Sequence, residues 1–354
     1  MNFMKIVVIE AFGLHLGYLG CYGNDWVATP NLDRLATEGV VFDWHIVDQP
    51  DLHATTPWHE RSVGTGRYAP PGRSTPAALP IVPRVVRCES LTTFGEDASR
   101  IVSENDTWLW IEGPSLLPPW RFDAELLDAY FDEDDVDEGL SPWTDPPFDL
   151  VELNDAEVLQ LQNTYAAVVT LFDAQLGGVL DRIGEDVLVC VTARSGLPLG
   201  EHGMIGAPRP LLHDELVHVP LLMRLPGRAE AGTRVAALTQ HVDLAPTFLG
   251  ALSRESAASG SQVGMSLWPL IRGQVDALRP FAVSFLRVGE HESWLLRTPT
   301  QALHVPIAPD EHVKPQLFLK PEDRWEVNDL FQQQLETAEE LTITLRTFVE
   351  NASA

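Results

Sequence analysis

Lysine is nearly missing from this chain, standing only at positions 5, 314 and 320. Arginine supplies the rest of the 24 basic residues, against 51 acidic ones, and the formal net charge is −27. Nucleic acid and anionic membrane surfaces require basic patches, so neither is expected as a partner. The charge fits a soluble chain and opposes a polyanionic substrate unless arginines gather locally. Cysteine is scarce too. Cys21, Cys88 and Cys190 are odd in number and far apart. They give neither a disulfide framework nor a zinc-binding spacing, and they favour a reducing, cytoplasmic setting. No apolar run reaches the roughly 20 residues of a membrane-spanning helix. Residues 1–13 look superficially like a secretory leader. Their apolar run is short, Glu10 interrupts it and no cleavage site follows, so they read as a first strand.

Hydrophobic residues make up 45 % of the 354 positions, enough for one large core with a smaller lobe attached. The apolar strand Ile6-Val7-Val8-Ile9 is followed by turn chemistry at Asn24-Asp25. Thr29 before Pro30 reads as a helix N-cap with proline in the first turn, and Gly39 as the stop. Residues 40–42 return to strand. The longest helical stripe covers residues 154–183, with Leu161, Tyr165, Val168, Phe172, Leu176, Val179 and Ile183 at steps of three and four. Asn154-Asp155 starts it and Gly184 stops it. The nearly all-apolar run 187–193 then reads as a parallel strand buried on both faces. Further strands are expected at 81–87, 106–112 and 220–225, and a helix at 242–252. From residue 280 the texture becomes short strands at 282–286, 293–297, 302–305 and 316–319, then a helix near 335–350. The expectation is an α/β domain at 1–279, with a mostly parallel central sheet between helices. An antiparallel sheet with a helix follows at 280–354. The connection 114–149 includes the acidic run DEDDVDE at 132–138. That run lacks the glycine and spacing of a calcium loop and reads as a solvated surface segment.

The stretch LGCYGNDWVATPNLDRLATEGVVF at 19–42 resembles, almost letter for letter, the N-terminal region of the sulfatase family in the alkaline-phosphatase superfamily. VTARSGLPLGEHGMIG, LLHDELVHVPLLMRLPG, HVDLAPTFLGAL and KPEDRWEVNDL extend the resemblance in order along the chain. It implies the alkaline-phosphatase-like fold and sulfuric ester hydrolysis. It also implies a calcium or magnesium ion held by hard oxygen donors and a Cys or Ser nucleophile.

The chain departs from that pattern where the chemistry should sit. Where the family has two aspartates at the end of the first strand, Glu10 alone could serve as a metal ligand. The Asp-His pair before GEHG becomes Arg194-Ser195, which puts a positive charge in the ion's own place. At 4 Å, two like unit charges repel by about 4 kcal/mol at an effective dielectric of 20. The nucleophile stretch reads Thr55-Thr56-Pro57-Trp58-His59-Glu60-Arg61, without Cys or Ser. The lysine position after GEHG holds Ala207.

We therefore expect a sulfatase-like protein with a degenerate site, no calcium or magnesium, and a role in binding a small anion or sulfate ester. A protein partner or homo-oligomer is the other role considered. Arg194, Ser195, His202 and His15 are the expected ligand-binding residues. The alternative is an active ester hydrolase with calcium or magnesium, using Thr55 or Thr56 with His59 as base and Arg61 nearby. The histidines at 15, 45, 53, 59, 202 and 213 are many, and with Glu10 or Asp214 could bind zinc. Their spacing gives no support for this, so they read as loop histidines. Arg61, Arg67, Arg73 and Arg194 read as surface residues paired with carboxylates.

Overall fold

The computed structural model describes residues 4–52, 83–102, 106–121, 124–131, 140–253, 264–306 and 314–353. Seven strands form the main sheet: β1 (Lys5–Phe12), β2 (Val40–Ile46), β3 (Arg84–Arg87), β4 (Trp108–Ser115), β5 (Val187–Ala193), β6 (Leu221–Arg224) and β7 (Thr233–Gln240). Their order is β3-β4-β1-β5-β6-β2-β7. β1 runs parallel to β4 and β5, and β6 lies antiparallel between β5 and β2. The mostly parallel sheet expected from the sequence is therefore present.

Alternation along β1 divides the core into two layers. Val7, Ile9 and Ala11 pack on the layer of helices α1 (Pro30–Glu38), α2 (Phe94–Val102) and α3 (Asp155–Leu180), through Leu32, Phe94, Leu161 and Phe172. Ile6 and Val8 pack on the opposite face against Leu244, Phe248 and Leu252 of α4 (Leu244–Ser253). Each such fully buried side chain contributes about 1.5–3 kcal/mol. β5 is buried along its whole length, as its unbroken apolar run requires. Asn154 caps α3 through a capping box with Glu157.

The second sheet, β11-β10-β9-β8, is antiparallel throughout: β8 (Ala282–Val288), β9 (His291–Arg297), β10 (Gln301–Pro306) and β11 (Gln316–Leu319). Helix α5 (Leu335–Ser353) covers it through Leu345, which joins Val283, Phe285, Trp294 and Leu296. β8 is tied to the end of β2. Phe285 N donates to Asp48 O (2.8 Å), and the Ser284 hydroxyl donates to Val47 O (2.6 Å). Among the described residues no helix is long and apolar enough to cross a membrane.

One local expectation needs correction. Thr29 does not cap α1, because its hydroxyl accepts from Gly20 N instead (2.9 Å). The exposed amides at the helix start are taken by a carboxylate from α3. Asp173 accepts from Asn31 N (3.0 Å), Leu32 N (2.8 Å) and the Asn31 side chain (2.9 Å). Gly39 stops α1 as expected, in extended backbone. Glycine is needed there because a Cβ would stand 2.5 Å from Met223 O of β6. Helix α2 and the edge strand β7 are not among the elements expected from the sequence, and β7 pairs in parallel with β2.

Asp173→Ala removes a tertiary cap and leaves two helix amides without acceptors, one of them on buried Leu32. Urea denaturation is expected to show a loss of about 2 kcal/mol, with Asp173→Asn recovering part of it.

Candidate functional site

Three charged residues meet where neighbouring parallel strands end. Glu10 of β1 is in register with Glu112 of β4 and with Thr192 of β5, and Arg194 follows β5 directly. In-register residues of adjacent strands share a face, so both carboxylates lie on the same side of the sheet. Both are fully buried, and Arg194 is 2 % exposed. Arg194 Nη2 donates to Glu10 Oε2 (2.5 Å) and to Glu112 Oε1 (3.0 Å). Its guanidinium also lies over the Phe12 ring, 5.0 Å from the centroid.

Every oxygen of this pair is engaged. Trp110 Nε1 donates to Glu10 Oε2 (3.1 Å), His241 Nε2 donates to Glu10 Oε1 (2.8 Å), and Arg87 Nε donates to Glu112 Oε2 (2.9 Å). The network continues inward. His45 Nε2 is 3.2 Å from His241 Nδ1, and His45 Nδ1 is 2.9 Å from the Thr239 hydroxyl. Burial, with His241 beside it, holds His45 well below the ordinary imidazole range. Burial alone would raise the Glu10 carboxyl, but Arg194 and His241 outweigh it and bring it down to about 2. Burial would lower the Arg194 guanidinium, but Glu10 and Glu112 hold it above its usual value.

This donor set does not fit a calcium or magnesium ion. Hard cations need free carboxylate oxygens. Here both Glu10 oxygens accept hydrogen bonds, and a guanidinium nitrogen stands 2.5 Å from one of them. Arg194 is thus a buried, doubly paired residue and not the surface arginine expected from the sequence.

The other expected site residues go elsewhere. Ser195 is buried beside Arg194, and its hydroxyl makes no hydrogen bond. The following Gly196 passes so close to the next segment that a Cβ would meet Glu215 O at 2.0 Å. His15 accepts from Gly17 N through Nδ1 (2.9 Å) and faces Glu201 through Nε2 (3.7 Å), so it fixes the turn after β1. His202 stacks on His213 with ring centroids 3.6 Å apart. Thr55, Thr56, His59 and Arg61 lie outside the described residues, as do Arg67, Arg73, His53 and the acidic run at 132–138.

Glu112, Trp110 and His241 were not foreseen, and His45, named among the histidines, reaches Glu10 only through His241. One signal was available for Glu112. Like Glu10 and Arg194, it is a charged residue closing an apolar strand, and open α/β sheets gather their sites at such strand ends.

Two outcomes follow from the network. A carboxyl ionising at about 2 when folded, against its ordinary 4.5, contributes stability that is present above pH 4.5 and lost as pH falls toward 2. That contribution is about 3 kcal/mol. Urea titrations across this window should show the fall, and Glu10→Gln should flatten it. Arg194→Met leaves two buried carboxylates side by side and should cost about 3–5 kcal/mol. Combined with Glu10→Gln it should cost less than the sum of the two single changes, measured by the same denaturation.

Comparison with known proteins accords with this geometry. A sulfatase family model matches residues 99–253. An N-acetylglucosamine-6-O-sulfatase of Bacteroides thetaiotaomicron is 34 % identical over 95 residues, covering 25 % of this chain and 17 % of that protein. Mus musculus steryl-sulfatase is 45 % identical over 66 residues, 19 % of this chain and 10 % of its own length. The match therefore spans less than a fifth of either relative. Among solved structures, BT4656, in complex with its substrate D-glucosamine-2-N,6-O-disulfate, superposes with a TM-score of 0.71. The identity is 17 %, with 99 % of this chain and 97 % of that one covered. The phosphonate monoester hydrolase of Agrobacterium radiobacter gives a TM-score of 0.68 at 15 % identity, with 99 % and 96 % covered. At these identities the structural likeness is one of fold. Residues 99–253 thus match the sulfatase family model, and the chain as a whole shares the fold of solved sulfatases.

Proposed function

We propose that this chain belongs by descent with the sulfuric ester hydrolases but does not perform their metal-dependent reaction. One observation carries the reading. The Arg194 guanidinium is bound to Glu10 and Glu112 at the carboxyl end of the sheet, where the sulfatase pattern calls for a divalent cation. Without that ion, nothing polarises the ester or lowers the proton affinity of a nucleophile. A guanidinium cannot substitute by giving up a proton, because it stays charged at all relevant pH values. Its hydrogen bonds to two carboxylates also compete with bonds to a sulfate.

The remaining role is binding. A sulfated sugar is the ligand class to test first, because the neighbour BT4656 was solved with such a substrate. Threonine-based hydrolysis through Thr55 or Thr56 is the competing reading, and no contact among the described residues favours it.

Calorimetry with calcium or magnesium chloride should show no binding. Melting temperature should not move with either ion, and 4-nitrophenyl sulfate and phosphate should not turn over. Calcium-dependent turnover abolished by Glu10→Ala would overturn the proposal. Metal-free turnover lost in Thr55→Ala or Thr56→Ala would establish the threonine route in its place.

A further inference from the structure

A second group of ionisable side chains lies apart from the Arg194 network, at the contact between the GEHG turn and the second sheet. His202 sits in the turn Glu201–Gly203, and His213 directly precedes the short helix Asp214–Val217. His304 is on β10, and Glu326 follows β11. His213, His304 and Glu326 are 3, 5 and 3 % exposed, while His202 forms the outer edge of the group. One donor atom from each of His202, His213 and Glu326 lies within 4.8 Å of the others.

Glu326 is the hub. Its Oε2 is 2.5 Å from His213 Nδ1 and 3.5 Å from His304 Nε2. Its other oxygen is 2.9 Å from Lys320 Nζ. Lys320 also donates to Asp214 Oδ2 (2.7 Å) and so fixes which carboxylate oxygen faces the histidines. The deeply buried His304 Nε2 makes no hydrogen bond, although it points at Glu326. A ring nitrogen so placed has lost its water without gaining a proper partner.

We propose that His202, His213, His304 and Glu326 bind one divalent transition-metal ion, zinc by ligand type. Three imidazoles and one carboxylate are a tetrahedral nitrogen and oxygen donor set, unlike the all-oxygen seat of calcium. Zinc–nitrogen bonds of about 2.0–2.1 Å put neighbouring donors about 3.4 Å apart. His202 and His213 now stack face to face, so one ring must turn for both to reach the ion, and His304 joins through its contact with Glu326. The ion replaces the direct contact between His213 Nδ1 and Glu326 Oε2. Lys320 and Asp214 act on it from outside by orienting the Glu326 carboxylate.

The electrostatics agree. Burial, and His213 beside it, push His202 down to about 4, and burial pushes His213 down as well. Both shifts favour the neutral imidazole, the form that binds a metal. Burial beside Glu201 and Glu326 raises the Glu215 carboxyl well above its usual range. Glu215 Oε1 lies 3.3 Å from His202 Nε2. The other charged groups facing the cluster are Glu201, Asp214, Lys320 and Arg297.

The test is isothermal calorimetry of the full chain, stripped with a chelator, against zinc chloride. Cobalt(II) absorption serves as a second readout. One zinc per chain is expected, together with the visible bands of tetrahedral cobalt. His202→Gln, at the outer edge, should weaken binding about tenfold while leaving the fold intact. His213→Ala and Glu326→Gln should abolish it. If a core variant fails to fold, the His202→Gln result decides. Absence of stoichiometric zinc binding by the folded wild type would overturn the proposal, as would equal binding by wild type and His202→Gln.

Discussion

The contact of Arg194 with Glu10 and Glu112 governs how the end of this sheet can be built. Two carboxylates in register on adjacent strands, both out of water, would repel strongly in a medium of low polarity. A guanidinium between them makes the arrangement tenable, and its planar fork allows one nitrogen to reach both. The rest of the site adapts to that. Trp110 and His241 complete Glu10, Arg87 completes Glu112, and Phe12 covers the guanidinium face. Buried ion pairs give up much of their Coulomb energy to desolvation. The worth of this one lies in fixing where three strands end rather than in net stability.

Much of the fold was legible because its elements are periodic and long. The stripe on α3, the unbroken apolar run of β5 and the four short strands of the second sheet all appear where the sequence puts them. The misreadings have a shared physical cause. Thr29 is a good cap by residue type, but a carboxylate 144 positions later in the chain, Asp173, reaches the same amides. No local pattern records such a contact. β7 lies at the sheet edge and gains its definition from pairing with β2.

The candidate site was legible by half. Glu10 and Arg194 stood out because they replace residues in a recognisable order. Repulsion of a cation by Arg194 could be read from residue type alone, but not that Glu112 would complete its neutralisation. The histidines looked scattered because their spacings are irregular. Folding gathers His45 and His241 behind Glu10, and His202, His213 and His304 around Glu326. Chain separation hides such convergence when each member comes from a different loop or strand.

The closed balance of charge at the end of this sheet has a consequence for any visitor. Two guanidinium groups, Arg87 and Arg194, face two carboxylates, Glu10 and Glu112, within hydrogen-bond distance. Seen from above, the floor is electrically quiet, and its long-range pull on an approaching dianion largely cancels. The net charge of −27 is not offset there, so the chain as a whole repels an anion, capture depends on short-range fit, and added salt should speed the encounter.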